Sequence, residues 1–155
     1  MALKAGDRAP DVTLPSHENQ QVPLSSLWKE GPAVLLFFPL AFSSTCTEEL
    51  CTVRDDIGSY TGLAGTVAAI SVDSPYVLKR FRGEVGADYV FLSDFNREAS
   101  RAFDVLRSAP VGPGLLNASE RAVFVVGPGG TIRYVWQGAT PSLLPPFEEI
   151  KAALA

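Results

Sequence analysis

The sequence contains only two cysteines, Cys46 and Cys51, and a single histidine, His17. These residues are too few for a closed structural zinc site, and we expect neither a metal nor another cofactor. A cysteine hydrolase would need a histidine base, but His17 lies in the polar segment SHENQQ, where we expect a solvated loop. The cysteines are separated by four residues, whereas a dithiol exchange motif has two between its cysteines. A structural zinc protein, a cysteine hydrolase and a dithiol exchange protein are therefore all disfavoured.

Long apolar runs and an excess of positive charge are also missing. No stretch reaches the roughly 20 apolar residues that a membrane-spanning helix needs, and the N-terminal MALKAGDRAPDVTL has no long apolar core. The formal net charge of −4 gives no electrostatic reason to expect nucleic acid or an anionic membrane as a partner. We expect a cytoplasmic protein, in which cysteines are more often catalytic, redox-active or ligating than structural.

The sequence has no internal repeat, no low-complexity tract and no visible linker. Its 155 residues, of which 46% are hydrophobic, suffice to bury one good core. We therefore expect a single domain over residues 1–155.

What is present is an alternation of apolar runs with stretches of helical periodicity. The predicted elements, in chain order, are a strand at 33–38, a helix from Ser44 to Tyr60, a strand at 66–71, a helix from Ser74 to Gly83, a strand at 89–92, a helix at 98–103, a hairpin of strands at 122–126 and 131–136, and a closing helix after Pro146. This order predicts an α/β fold with a central mixed sheet and helices on both faces. The segments VTL and QVPL near the N-terminus can add a hairpin.

Both cysteines directly follow AVLLFF, the most apolar run of the sequence. Cys46 falls in the first turn of the predicted helix, where free N–H groups and the helix dipole stabilise a thiolate. It also lies on the buried stripe of that helix, so a small core residue is the alternative. Pro39 cannot continue the strand and sets the following loop over the helix start.

Two neighbours of Cys46 can contribute to a site. Ser43 lies three residues before Cys46 and can present its hydroxyl beside the sulfur, although Ser43 or Ser44 can equally serve only as the helix cap. Glu49 lies three residues after Cys46 on the adjacent helical face, close enough to orient a cationic group. Its alternative role is to complement the helix dipole.

The segment from Pro39 to Cys46 resembles the active-site motif of peroxiredoxins. In that motif a proline is followed after three residues by threonine or serine, and after two more residues by a cysteine. The matching residues are Pro39, Ser43 and Cys46. GDRAPDVTL at 6–14 resembles the opening of that family, and RAVFVV at 121–126 resembles the strand that begins with its active-site arginine. FFPLAF is similar to the alkyl hydroperoxide reductase E subfamily, and CTEELC to the bacterioferritin comigratory protein (PrxQ) subfamily, in which a second cysteine resolves the first.

The resemblance implies a thioredoxin-like fold and the reduction of hydrogen peroxide and organic hydroperoxides through a sulfenic acid on Cys46. An ordinary thiol is about 3% ionised at pH 7, so full ionisation gains only about thirtyfold, which is too little for a peroxidase. The donors assigned to the breaking O–O bond are the backbone N–H of Cys46, the Ser43 hydroxyl and the Arg121 guanidinium. The position of Arg121 directly before a buried strand favours a fixed inward role over a surface charge.

Cys51 is the expected resolving thiol, through an intramolecular disulfide with Cys46. In an intact helix their Cα atoms would lie about 8.5 Å apart, beyond the roughly 7 Å that a disulfide tolerates, so the helix must unwind first. The alternatives are a one-cysteine peroxidase recycled directly by an external thiol and a non-catalytic binding or holdase protein of the same fold.

The sequence leaves the partners open. Thioredoxin, a glutaredoxin-like protein or a small thiol can be the reductant, and the chain can be a monomer or a homodimer. The loop SAPVGPGLLNAS at 108–119 can form an apolar wall for organic peroxides or a dimer contact.

Overall fold

The computed structural model describes residues 3–63 and 65–155, so the first two residues of the N-terminal stretch lie outside it. These residues contain seven strands: β1 (Thr13–Pro15), β2 (Gln21–Pro23), β3 (Ala33–Phe37), β4 (Thr66–Ser71), β5 (Val90–Ser93), β6 (Ala122–Val126) and β7 (Ile132–Gln137). β1 and β2 form an antiparallel hairpin, and the other five form one sheet in the order β5-β4-β3-β6-β7. β3, β4 and β5 are parallel, and β6 and β7 are antiparallel to their neighbours. The predicted mixed sheet and N-terminal hairpin are confirmed.

Helices cover both faces of the sheet, as predicted. Those in the described residues are a 3-10 helix (Leu24–Trp28) and five α-helices: α1 (Ser44–Asp55), α2 (Ile57–Thr61), α3 (Pro75–Val85), α4 (Glu98–Ala102) and α5 (Phe147–Leu154). Buried residues of α1, α2, α3 and α5 pack on one face, in a first core cluster. The hairpin, the 3-10 helix and α4 contribute to a second cluster on the other face. No helix in the described part of the chain is long and apolar enough to cross a bilayer.

Strand β3 lies in the middle of the sheet, and all of its residues are buried. A strand buried on both faces reads as a continuous apolar run, which is why AVLLFF predicted it correctly. The antiparallel register with β6 pairs Phe37 with Ala122. Arg121, the residue before Ala122, is thereby brought to the end of β3, where the segment with both cysteines begins.

The helix predicted from Ser44 to Tyr60 is interrupted at Asp56, which separates α1 from α2. The Asp56 backbone leaves the helical region, with φ −119° and ψ 21°. Its carboxylate accepts hydrogen bonds from the Ser59 hydroxyl at 2.6 Å and from Lys151 Nζ at 2.5 Å. An aspartate bonded in this way competes with regular helix, which explains the break. Tyr60 is nevertheless buried on the predicted side.

Helix α3 begins as predicted, because the Ser74 side chain accepts the N–H of Val77 at 3.3 Å and Pro75 occupies the first turn. The prediction that it ends at Gly83 is wrong. The helix continues to Val85 and ends at Gly86, whose φ of 72° is the left-handed conformation that glycine adopts at helix ends. Burial of Val85 against the first core cluster stabilises the added residues.

His17 is not the solvated residue that its polar surroundings predicted. Its side chain is 9% exposed, because the hairpin docks on β5. The His17 backbone N–H donates to the carbonyl of Phe91 at 2.9 Å, and Nδ1 accepts the Phe91 N–H at 3.4 Å. Burial, followed by the nearby charge of Arg82, lowers the pKa of His17.

Candidate active site

The candidate site lies at the carboxyl end of β3. Residues 39–42 form a short loop there, and α1 begins directly after Ser43, whose extended backbone (φ −73°, ψ 151°) is that of a helix cap residue. Cys46 is the third residue of α1 and is fully buried in the first core cluster. The N–H groups of a first helical turn have no acceptor within the helix, so they can stabilise negative charge on this sulfur.

Arg121 is the residue that organises the site. Its Nη2 donates to the Sγ of Cys46 at 3.1 Å, and its Nη1 donates to Oε1 of Glu49 at 2.6 Å. Its Nε donates to the carbonyl of Pro141 at 2.9 Å. With only 2% of its surface exposed, the guanidinium is held in one orientation by three acceptors. The expected inward arginine and the expected contact of Glu49 with a cation are both present.

The buried Glu49–Arg121 pair determines the charge at the site. Complete burial raises the pKa of Glu49 to about 7, against the attraction of Arg121. Burial alone would lower the pKa of Arg121, but its electrostatic interactions and hydrogen bonds with Glu49 and the Cys46 sulfur outweigh burial and raise it. Arg121 therefore keeps its positive charge beside the sulfur. Oε2 of Glu49 is buried and has no hydrogen-bond partner among the described residues.

A pocket of about 250 Å³ opens next to the loop at 39–42. Its lining residues come from that loop, the start of α1, the loop at 108–119, and the segment after β7: Pro39, Leu40, Ser43, Ser44, Thr45, Val111, Leu115, Arg121, Pro141 and Ser142. Cys46 is not among them, but its sulfur accepts a hydrogen bond from Arg121, which is. The pocket therefore leads to the guanidinium that contacts the sulfur, and Val111 and Leu115 give it an apolar wall.

The Ser43 hydroxyl has a partner that the sequence did not indicate. It donates to the carbonyl of Leu40 at 3.1 Å and makes no side-chain cap bond with α1. The Ser43 carbonyl accepts the N–H and the hydroxyl of Thr47, each at 2.9 Å. Ser43 thus occupies the cap position through its backbone, and its side chain is bonded within the loop at the pocket wall.

Comparison with known proteins agrees with this geometry. The model of the AhpC/TSA family matches residues 5–135 of the chain. The chain belongs to this family. It is 34% identical over 134 residues to alkyl hydroperoxide reductase E of Mycobacterium bovis, covering 85% of this chain and 84% of that protein. It is 30% identical over 135 residues to peroxiredoxin Bcp of Escherichia coli K12, covering 86% and 85%.

Comparison with solved structures points to the same family. The crystal structure of peroxidoxin BcpB from Mycobacterium tuberculosis superposes with a TM-score of 0.87 at 27% identity, covering 98% of this chain and 96% of that one. The chain is thus a peroxiredoxin with a thioredoxin-like fold, a thiol-dependent peroxidase. A peroxide is its substrate and a thiol its reductant. The resemblance to both subfamilies is confirmed.

The second cysteine of this peroxiredoxin lies on the same helix as the first. Cys51 is partly exposed on the flank of α1, and both cysteines are free thiols. Because α1 is continuous from Ser44 to Asp55, the separation of about 8.5 Å expected for an intact helix applies. The two sulfurs cannot be joined in this conformation.

Three groups at the site were missed from the sequence. The Pro141 carbonyl holds Arg121, the Ser119 hydroxyl donates to the carbonyl of Phe38 at 3.1 Å, and the Asp73 carboxylate accepts the N–H of Ala41 at 2.8 Å. A backbone carbonyl leaves no signal in a sequence. Asp73 did leave a signal in the sequence. It is a polar residue just after β4, and because β3 and β4 are parallel neighbours, it lies at the same edge of the sheet as the residues that follow β3.

Proposed function

We propose that the Cys46 thiolate attacks the terminal oxygen of a hydroperoxide. An S–O bond forms, the O–O bond breaks, and the leaving oxygen takes the bonding electrons and a proton from solvent, which balances the proton that the Cys46 thiol releases on ionisation. Hydrogen peroxide then yields water, an organic hydroperoxide yields an alcohol, and Cys46 becomes a sulfenic acid. The contact of 3.1 Å between Arg121 Nη2 and Cys46 Sγ supports this proposal most directly, because it couples a fixed positive charge to the sulfur.

Most of the acceleration comes from donors that meet the negative charge developing on the peroxide. In our proposal these donors are Arg121, the backbone N–H of Cys46 and the Ser43 hydroxyl, which turns from the Leu40 carbonyl to the bound peroxide. Glu49 keeps the guanidinium in position, and Pro39 directs the loop over the start of α1. The location of Pro39, Ser43 and Arg121 in one pocket supports these roles.

The substrates we propose are hydrogen peroxide and organic hydroperoxides. The pocket of about 250 Å³ has room for more than a diatomic peroxide group, and Leu40, Val111 and Leu115 line it with apolar surface. An alkyl chain attached to the peroxide gains free energy by leaving water for such a wall. The apolar wall is therefore the proposed role of the loop at 108–119.

Cys51 is our proposed resolving thiol. Its sulfur attacks the sulfenic sulfur of Cys46, an S–S bond forms, and the S–O bond breaks with release of water. The partial exposure of Cys51 and its place on the same helix support this step. A second thiol donor, namely thioredoxin, a glutaredoxin-like protein or a small thiol, then reduces the disulfide. Such donors belong to a reducing compartment, which is why we propose the cytoplasm.

Replacement of each cysteine separates the two steps. We expect Cys46→Ser to lower peroxide turnover by a factor on the order of 10³ or more, because hydroxyl is a far poorer nucleophile than thiolate. Cys51→Ser should leave the first oxidation unchanged but stop disulfide formation. Stopped-flow fluorescence follows the oxidation, with donor-coupled turnover measured in parallel. Full activity of Cys46→Ser would remove Cys46 as the nucleophile.

Mass spectrometry of the oxidised wild type tests the second step. After one equivalent of peroxide, a peptide linked through Cys46 and Cys51 should be found. If Cys46 accumulates as a sulfenic acid while Cys51 stays reduced, the enzyme is a one-cysteine peroxidase that an external thiol recycles directly. Sedimentation of the reduced and oxidised protein distinguishes a monomer from a homodimer.

A further inference from the structure

The loop at 39–42, which carries the chain from β3 to α1, is held in a strained conformation. Phe42 has a φ of 69°, in the left-handed region that a bulky residue rarely adopts. Its side chain is half-exposed, with the ring against Phe81 at a centroid distance of 4.9 Å. A conformation of this kind persists only where the surrounding contacts enforce it. The loop therefore depends on its anchors.

Asp73 supplies an anchor from a distant part of the chain. Its Oδ2 accepts the N–H of Ala41 at 2.8 Å, the residue directly before Phe42, and also accepts the Ser71 hydroxyl at 2.7 Å. Asp73 is fixed in turn, because its N–H donates to Ser71 Oγ at 3.2 Å and its carbonyl accepts the Ser93 hydroxyl at 2.6 Å. Both serines are buried, so the carboxylate is positioned by the ends of β4 and β5.

We propose that Asp73 is a positioning residue that latches the loop at 39–42 and, through it, the first turns of α1. With the latch closed, Phe42 keeps its strained backbone and Cys46 is presented to Arg121. With the latch open, the loop relaxes and residues 43–50 are released to unwind. Asp73 is not among the residues that line the pocket, and its hydrogen bond to the loop is made to the N–H of Ala41, so it acts on the site through Ala41.

The latch affects the two chemical steps in opposite directions. Attack on peroxide needs the ordered start of α1, so loss of the latch slows it. Formation of the disulfide needs that start unwound, so loss of the latch speeds it. The second effect rests on the proposed resolving role of Cys51, whereas the first does not.

The test compares Asp73→Ala with wild type in the reduced and the oxidised state. We expect amide hydrogen exchange within residues 41–50 of the reduced protein to rise about tenfold, because a charge-assisted hydrogen bond is lost. The second-order rate constant of Cys46 oxidation should fall about tenfold, and disulfide formation should accelerate several-fold. Asp11→Ala is the matched control, since Asp11 accepts the N–H of Ser25 at 2.9 Å in a segment outside the pocket lining.

Asp73→Asn separates the hydrogen bond from the charge. Its amide oxygen can still accept the N–H of Ala41, so this variant should restore both rate constants to within about threefold of wild type. If Asp73→Asn behaves like Asp73→Ala, the carboxylate acts through its charge and the latch is refuted. The latch is also refuted if amide hydrogen exchange at residues 41–50 is unchanged in Asp73→Ala, or if Asp11→Ala changes it as much as Asp73→Ala does.

Two further outcomes are distinguishable. Should Asp73→Ala fail to fold, Ser71→Ala takes its place, because it removes the hydroxyl that orients Oδ2 of Asp73. If amide hydrogen exchange at residues 41–50 of Ser71→Ala then equals that of wild type, the proposal is overturned. Should wild type form no disulfide between Cys46 and Cys51, the resolving role fails, but exchange and the rate of peroxide attack still decide whether Asp73 positions the loop.

Discussion

Arg121 serves three acceptors at once, and this fixes the direction of its positive charge. A planar guanidinium can reach a sulfur, a carboxylate and a carbonyl together, whereas the ammonium group of lysine is a single point with a shorter reach. The buried carboxylate of Glu49 compensates the charge of Arg121, which burial alone would disfavour. At this scale the catalytic geometry is a property of one side chain and its partners.

Arg121→Lys should therefore keep the positive charge but lose the simultaneous hydrogen bonds to the sulfur, the carboxylate and the carbonyl. We expect kcat/KM for peroxide to fall by a factor on the order of 10² to 10³, because the donor aimed at the developing charge is misplaced. Stopped-flow oxidation with hydrogen peroxide measures it. Arg107→Lys is the control, because Arg107 also forms a part-buried ion pair, with Glu120 at 3.0 Å, outside the pocket lining. Wild-type kinetics in Arg121→Lys would show that charge alone suffices.

Helix α1 is held differently along its length. Its first turns follow the strained loop, whereas its middle is tied to the residue directly before β5, because the Tyr89 hydroxyl donates to the carbonyl of Leu50 at 2.7 Å. Farther along, Arg54 Nη1 donates to the carbonyl of Val85, and this bond holds α1 to the end of α3. For the proposed disulfide we therefore expect α1 to unwind before Leu50, while Cys51 stays on the part of the helix that Tyr89 and Arg54 hold.

Tyr89→Phe removes the tie at Leu50. We expect a loss of about 1 kcal/mol in the free energy of unfolding, because the Leu50 carbonyl loses its side-chain donor. We also expect faster formation of the Cys46–Cys51 disulfide, because unwinding of α1 can then extend past Leu50. Denaturant unfolding and quenched-flow mass spectrometry provide the two measurements. Tyr134→Phe is the matched control: its hydroxyl donates to Glu149 at 3.0 Å and joins β7 to α5, not to α1. A disulfide rate equal in wild type and Tyr89→Phe would contradict the tie.

Across the whole molecule, the N-terminal hairpin is joined to the edge strand β5 through His17. Burial lowers the pKa of His17, with a further contribution from Arg82, while the Phe91 hydrogen bond and Glu18 oppose it. The folded protein therefore binds this proton less readily than the unfolded chain. The contribution of His17 to the free energy of unfolding is complete above the pKa of His17 in the unfolded chain. It is lost as the pH falls through the lower pKa of His17 in the folded protein.

His17→Asn should flatten that pH dependence. Asparagine can accept the N–H of Phe91 but does not titrate, so stability should fall less between about pH 7.5 and about pH 5.5 than in wild type. Guanidinium unfolding at both values gives the two free energies. An unchanged slope in His17→Asn would show that other groups cause the acid sensitivity.

Local signals in the sequence predicted much of this protein. The apolar run of β3, the Ser74–Pro75 start of α3 and the stripe that buries Cys46 each depend on residues close together in the chain, and all three are confirmed. The break at Asp56 was missed, because it depends on Lys151 from α5. The docking of His17 was missed for the same reason, since its partner Phe91 belongs to β5.

By itself the sequence determined the order of strands and helices, the family and the position of Cys46 in the first turn of a helix. These follow from short-range periodicity, capping residues and a motif within one segment. Only the tertiary structure decided that Arg121, 75 positions from Cys46 in the chain, contacts its sulfur. The pairing of Phe37 with Ala122 and the bond from Ala41 to Asp73 arise when distant segments pack together. No local pattern encodes such contacts, because they depend on strand register and on which segments share one edge of the sheet.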